Sequence, residues 1–398
     1  MWVARKVPSG YVTGHANQAR ITTFPLNDPD NSVYSSDVIS FARKIGLYAD
    51  GSSDETFSFS DVYDPVTFEG ARFCEARVWS FFSRVMGDEW SQRYLDYVQG
   101  VNLTNRMPLW VKPAKKLSAQ DVMESMRNHY EGTALDNTGR LFSDVGAGQF
   151  HYPNRISPIT WSSPANKGEE FFHERTIAQS PTGWSIVCQS RPGVPRQMAA
   201  LLWFGIDDSS TSVHFPIYGS ATRIPKGWEG KGPQDGVTPP LMHFSLDSAF
   251  YVFNLVANWA YSRWDAIYPD VYKRIIEKET LYLQKSLEAD KEALELFTAG
   301  KTDQAVEHLT SLSDAIGTAL LQEWFHFFGE LFVKYRDGFV TTASPLTPVC
   351  GCSTSSLPYS SEWYDRIVAD TGDRYLVPQS QQPSHRAAIK KLDLKAFR

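Results

Sequence analysis

Basic residues are in short supply. The 398 residues carry 39 Lys and Arg against 45 Asp and Glu, a formal net charge of −6, and no stretch gathers the cations into a patch. Phosphate backbones are held by such clusters, so nucleic acid is not an expected partner. Long hydrophobic runs are missing too. The most apolar stretch, 249–260, is interrupted by Asn254 and Asn258, whereas spanning a bilayer takes ~18 apolar residues. No membrane partner is expected. Four cysteines are too few for a disulfide framework at this length. Cys350 and Cys352 sit one residue apart, but no second pair or histidine cluster completes a metal site. All four are expected to be free thiols of a cytoplasmic protein, and no metal or cofactor is expected. A Gly-rich phosphate loop, a Gly-x-Ser-x-Gly elbow and an HExxH helix are also absent.

What the chain has is apolar and aromatic bulk: 42% hydrophobic residues, 14% aromatic, twelve Trp. That composition belongs to globular proteins. The length predicts roughly two to three domains, or one large α+β unit. Residues 10–21 read as a buried strand ending in a polar cluster. No capped element precedes it, so its pairing partners are expected in an upstream segment. Ser36 and Asp37 are candidate caps for a first helix. A second helix over 70–85 carries Phe73, Arg77, Phe81 and Arg84 at helical spacing. A third starts at Ser118, with Asp121 completing an acidic capping box, and is expected to run through Tyr130 to Gly132.

Short β-rich runs at 171–177, 184–189, 199–206 and 211–218 are separated by turn residues, the pattern of an antiparallel meander. From 245 the periodicity becomes helical. Phe250, Phe253, Val256, Ala260 and Trp264 share a face, and charged, Leu-spaced helices follow over 270–298 and 303–335. The expected division is 1–240 with the sheet, 241–340 as a helical layer, and 341–398 as a mostly irregular, basic-ended tail with one short helix near 362–370.

Three clusters can carry chemistry. Gly14-His15-Ala16-Asn17-Gln18-Ala19-Arg20 gathers amide, imidazole and guanidinium groups at a strand end, where binding groups collect. An Asn amide there can donate to a developing oxyanion; alternatively, Asn17 caps a turn and His15 fills a core hole. Arg77, on an aromatic helix, must be paired or face a cleft, because burying it unpaired is costly. Glu75 and Asp61 are the candidate partners, and a substrate clamp is the other use. Asp207-Asp208-Ser209-Ser210-Thr211-Ser212 can bind a cation or an ammonium group, or can simply turn a hairpin. His173-Glu174-Arg175 falls on an expected strand and lacks the i, i+4 geometry of a zinc-protease helix. Ser, His and Asp are all present, but no spacing marks a triad.

Whole phrases say more. "VARKVPSGYVTGHANQARITTFPLNDPDNSVYSSDVISFAR", "FEGARFCEARVWSFFSRV", "DVGAG", "HERTIAQSPTGWSIVCQSR", "LLWFGIDDSSTSVHFPIYGSATRIP" and "YSSEWYDRIVADTGDRYLVP" follow one another along nearly the whole chain. In them the sequence resembles the dipeptidase-A-type cysteine dipeptidases, secernin-related N-terminal-nucleophile hydrolases. The resemblance implies the C-terminal portion of an αββα sandwich, two stacked antiparallel sheets between helical layers, with an appended helical region. It also implies a dipeptidase that works without a cofactor. Its N-terminal Cys, freed by processing, attacks the peptide carbonyl while its own α-amino group takes the proton.

On this pattern Asn17 matches the oxyanion-hole amide and Arg77 the arginine beside the nucleophile, both as catalytic residues. His15 and Arg20 are the neighbouring candidates for substrate binding. The chain departs from the pattern at the nucleophile. Residue 2 is Trp, and every internal cysteine has its amine locked in a peptide bond. The segment headed by the nucleophile is expected outside this chain, which alone is expected to be inactive. The expected partners are a dipeptide substrate and either that N-terminal segment or a second copy of the chain. The contrasting reading is a catalytically inactive family member that serves as a binding module.

Overall fold

The computed structural model describes residues 1–136, 160–172, 174–229, 244–347 and 350–378. The architecture is α+β. Strand β1 (Val3–Arg5) pairs antiparallel with β3 (Ser32–Tyr34), and β2 (Val12–Thr13) with β4 (Trp110–Val111). The expected long buried strand over 10–21 is therefore only two paired residues, both half-buried. Left-handed backbone at Gly10 (φ 81°) and Asn17 (φ 64°) breaks the extended run on either side. The partners of β1 and β2 also lie within the chain rather than upstream.

Helix α1 (Val38–Lys44) starts after Asp37, although no side chain caps it, and α2 (Phe59–Tyr63) follows. The expected helix over 70–85 opens with a π-helical turn, Gly70–Glu75, and continues as α3 (Ala76–Met86). Short helices α4 (Asp88–Arg93) and α5 (Leu95–Val98) pack behind it. Trp79, Phe82, Tyr97 and Tyr130 are fully buried between them. Each such ring removed from water contributes about 1.5–3 kcal/mol before entropy is counted.

Helix α6 (Ala119–Ser125) has the expected box: Ser118 Oγ accepts from Asp121 N, and the Asp121 carboxylate accepts from Ser118 N. It ends at Ser125, well short of Gly132. Beyond it, Asn128 O accepts from Ala178 N, Asn128 Oδ1 accepts from Tyr130 N, and Tyr130 is left-handed at φ 69°. The backbone is thus claimed by the 176–178 segment and cannot continue as helix.

The expected meander forms as β7 (Trp184–Ser190), β8 (Ala200–Ile206) and β9 (Phe215–Tyr218), with Trp184 opposite Ile206 and Phe204 opposite Phe215. The expected strand at 171–177 is shorter. It is β6 (Glu169–Phe172), paired with β5 (Thr160–Ser163), and 174–176 is irregular. Helices α7 (Ala249–Ser262), α8 (Trp264–Thr298) and α9 (Thr302–Tyr335) then cover the meander. One core unites them, in which Phe253 stacks on Trp324 at 5.1 Å and Phe215 meets Trp228 at 4.5 Å. The expected boundary at 240 falls outside the described residues.

The last region holds more order than expected. Strands β10 (Phe339–Ala343) and β11 (Cys352–Ser356) form a hairpin before helix α10 (Ser361–Thr371). The hairpin brings Cys350 and Cys352 to a Cα separation of 5.2 Å, and they are joined as a disulfide. The expectation of four free thiols is therefore corrected: Cys74 and Cys188 are free. No described helix is long and apolar enough to cross a membrane.

Candidate active site at the end of the second strand

Strand β2 delivers residues 14–17 onto the flank of α3. Its register is held by pairing with β4 and by Thr13 Oγ1, which donates to Leu109 O at 2.6 Å. Gly14 makes the close approach possible, since a Cβ there would lie 3.2 Å from Val78 Cγ1. Asn17 then turns the chain through left-handed backbone, which Asn tolerates better than most residues.

Arg77 closes this turn. Its Nη2 donates to Ala16 O at 3.1 Å and to Asn17 Oδ1 at 2.9 Å, while its Nε returns to Phe73 O at 2.9 Å. A guanidinium has only donors, so the oxygen of the Asn17 amide must face it and the nitrogen must face away. Among the described residues, Asn17 Nδ2 has no acceptor, and Asn17 is exposed. The expected ion pairs of Arg77 with Glu75 or Asp61 do not form. Glu75 pairs with Arg20 (2.9 Å) and Asp61 with Arg106 (2.8 Å). Burial and the neighbouring positive charge of Arg175 both lower the Arg77 pKa. An arginine nonetheless keeps its proton, so this corner stays cationic.

Beside the clamp lies a cavity of about 380 Å³, a size suited to a small organic ligand. Thr13, Gly14, His15 and Ala16 form one wall, and Arg77, Val78 and Phe81 of α3 a second. Val122, Ser125, Met126 and Ile177 close it. His15 is exposed at the rim. Desolvation there, then the Arg20 charge, push its imidazole below the ordinary range, so it is neutral at physiological pH.

Arg20, the other residue expected to bind substrate, does not share this surface. It is buried against Glu75 and donates to Gly14 O (3.0 Å), Leu109 O (3.2 Å) and Pro108 O (2.8 Å). Tyr97 Oη also donates to Glu75, at 3.2 Å. The group ties the ends of β2 and β4 to the π-helical turn. Nearby, Arg72 pairs with Glu174, and Tyr130 Oη donates to Arg175 O at 2.6 Å. Burial raises the Glu174 pKa, and Arg72 opposes that shift.

One buried polar network escaped sequence reasoning. Ser185 Oγ lies 2.9 Å from His214 Nε2, and His214 Nδ1 lies 2.9 Å from Glu279 Oε1, the distances of a serine-type relay. All three are buried. A Cβ on Gly205 would sit only 3.2 Å from both Ser185 Oγ and His214 Cδ2, which leaves a substrate carbonyl no room. Glu279 also takes the Arg127 guanidinium and the His214 backbone N–H. This network joins α8 to β7, to the residue preceding β9 and to the segment after α6. The Asp207–Ser212 turn is also buried throughout. Asp207 accepts from Asn254 Nδ2 at 3.1 Å, and Asp208 from Tyr261 Oη at 2.7 Å. Burial first, then the Asp208 charge, raise the Asp207 pKa to about 7. No group of three or more metal-ligating side chains occurs among the described residues, and His173 lies outside them.

Comparison with known proteins places this geometry in context. The model for "Peptidase family C69" matches residues 1–277. A "Probable dipeptidase" of Salmonella dublin is 26% identical over 232 residues, 58% of this chain and 45% of the relative. A "Probable dipeptidase" of Latilactobacillus sakei is 25% identical over 221 residues, 55% of this chain and 39% of the relative. The "Dipeptidase A" of Lactobacillus helveticus is 22% identical over 326 residues, 79% of this chain and 57% of the relative. The chain spans about half the length of the curated relatives it matches. The family match takes in the strand end, the clamp and the cavity together, and the chain belongs to peptidase family C69.

Proposed function

We propose that this chain supplies the oxyanion and arginine side of a cysteine-type dipeptidase. The nucleophile is the N-terminal Cys of an upstream segment that completes an αββα sandwich. One observation carries the reading. Beside the cavity, Asn17 has its amide oxygen taken by Arg77 and its N–H left to offer, next to a guanidinium with no acid partner among the described residues. The relatives' names supply the substrate class, a dipeptide.

The chemistry follows from the groups. The α-amine of the Cys, with a pKa near neutrality, takes the thiol proton. The charge of Arg77 favours the resulting thiolate. Attack on the peptide carbonyl gathers negative charge on its oxygen, to which Asn17 Nδ2 donates. Collapse expels the amine of the second residue, protonated by the α-ammonium, and leaves a thioester that water hydrolyses. Val78, Phe81, Val122 and Met126 give the side-chain pocket its apolar walls, and neutral His15 offers the dipeptide backbone a hydrogen bond at the rim. Arg20 acts as a positioning residue, through Gly14 O.

The test is the intact mass of the protein from its natural source, before and after exposure to a dipeptide-derived chloromethyl ketone. The expected result is a chain extended upstream that begins with Cys and carries one equivalent of inhibitor on that residue. A mature chain that begins at Met1 or Trp2, takes up no inhibitor and cleaves no dipeptide would overturn the reading.

A further inference from the structure

The β10–β11 hairpin carries a feature that the dipeptidase chemistry does not use. Cys350 and Cys352 are bonded across the single residue Gly351, and Ala343 lies opposite Cys352 in the ladder. A disulfide stabilises a fold mainly by closing a loop in the unfolded chain, and the effect shrinks with loop length. A bond between residues two apart closes almost the shortest loop a chain allows, so it contributes little as a staple. The hairpin does not depend on it either. Five residue pairs hold the ladder, Ser344 N donates to Gly351 O at 2.7 Å, and Gly351 N donates to Thr347 O at 3.0 Å. Gly351 sits at φ 64°, in the left-handed region that glycine enters freely.

Access completes the argument. Cys350 is exposed and Cys352 half-buried, so an incoming thiolate can reach a sulfur. Exposed disulfides of this kind are the labile ones, whereas structural cross-links resist the thiols around them. After reduction, the ladder and the Gly351 turn keep the two sulfurs adjacent, so re-closure is intramolecular and fast.

We infer that Cys350-Gly351-Cys352 is a thiol–disulfide exchange site whose substrates are low-molecular-weight thiols and reduced protein dithiols. A substrate thiolate attacks one sulfur of the pair. The Cys350–Cys352 bond breaks, a mixed disulfide forms, and the other cysteine leaves as a thiolate that takes up a proton. A second substrate thiolate then attacks the substrate sulfur of the mixed disulfide, and the second cysteine leaves likewise. Two electrons pass to the protein, two substrate thiols become one disulfide, and oxidised glutathione drives the reverse. Cys74, half-buried in the π-helical turn, and Cys188, exposed on β7, are free thiols outside this pair and are read separately. The assignment is independent of the dipeptidase reading.

The experiment equilibrates the intact 398-residue chain in glutathione buffers of graded reduced-to-oxidised ratio, quenches with acid, alkylates, and reads each cysteine by peptide mass. Cys350 and Cys352 are expected to become alkylable together, in one two-electron transition within the glutathione range, with the melting temperature unchanged. The transition is expected to vanish in Cys350→Ser, where Cys352 instead holds glutathione as a stable mixed disulfide. A pair that stays bonded throughout the glutathione range and yields only on unfolding would overturn the inference. So would a reduced chain that fails to re-form the bond in oxidised glutathione.

Discussion

Arg77 Nη2 donates to Asn17 Oδ1 at 2.9 Å across sixty residues of chain, and the same nitrogen donates to Ala16 O at 3.1 Å. One guanidinium therefore fixes both the turn that carries Asn17 and the way its amide faces. If Asn17 has a catalytic part, Arg77 determines whether its N–H points outward.

Replacing Arg77 with Lys is expected to lower kcat by tenfold or more in the natural protein. An ammonium cannot serve Phe73 O, Ala16 O and Asn17 Oδ1 together as a planar fork can. Steady-state kinetics with a dipeptide, alongside a melting curve, provide the check. An Arg77→Lys enzyme with native kcat would show that the clamp does not orient the amide for turnover.

The Arg20–Glu75 pair is a stability element. Glu75→Ala leaves a buried guanidinium without its counter-charge and is expected to cost about 3–5 kcal/mol. Denaturant midpoints of this chain measure it. A loss below about 1 kcal/mol would mean that the backbone carbonyls around Arg20 suffice.

Asp207 gives the fold a pH dependence of defined sign. Its native carboxyl titrates near pH 7, while the unfolded carboxyl titrates near the ordinary 3.8. Between those values the folded state binds the extra proton. Stability from this group is therefore complete below about pH 4 and is lost as pH rises towards 7, by up to about 1.4 kcal/mol per pH unit. His214 acts in the opposite direction. Burial holds its imidazole below the ordinary 6.5, so protonation of the unfolded chain erodes stability as pH falls through that value. Comparison with Asp207→Asn isolates the first contribution: the variant is expected to lose less stability than the parent between pH 4 and 7. Parallel pH profiles for the two proteins would remove Asp207 from the account.

Local signals are legible in the sequence. The Ser118–Asp121 box, the Leu-spaced helices that became α8 and α9, and the meander at 184–218 each rest on neighbours in the chain. What the sequence hid was partner choice over long separations. Glu75 and Arg77 are two apart on a helix and so project to different sides; Glu75 turns instead to Arg20, 55 residues away. Arg127 likewise finds Glu279, 152 residues on. The Asp207–Ser212 turn was legible as a hairpin turn, but its burial was not, because Asn254 and Tyr261 of α7 cover it from a distant part of the chain. His15 and Arg77 line one cavity and Asn17 is bonded to Arg77 beside it, whereas Arg20, from the same short phrase, points into the core. Such a split depends on side-chain direction at a turn, which composition does not encode.

The most direct measurement is kcat for Asn17→Ala in the natural, upstream-extended protein acting on a dipeptide. With the Asn17 amide as the oxyanion donor, kcat falls by about 10²–10³ while KM changes little. An Asn17→Ala enzyme that is folded and turns over at the native rate would contradict the account.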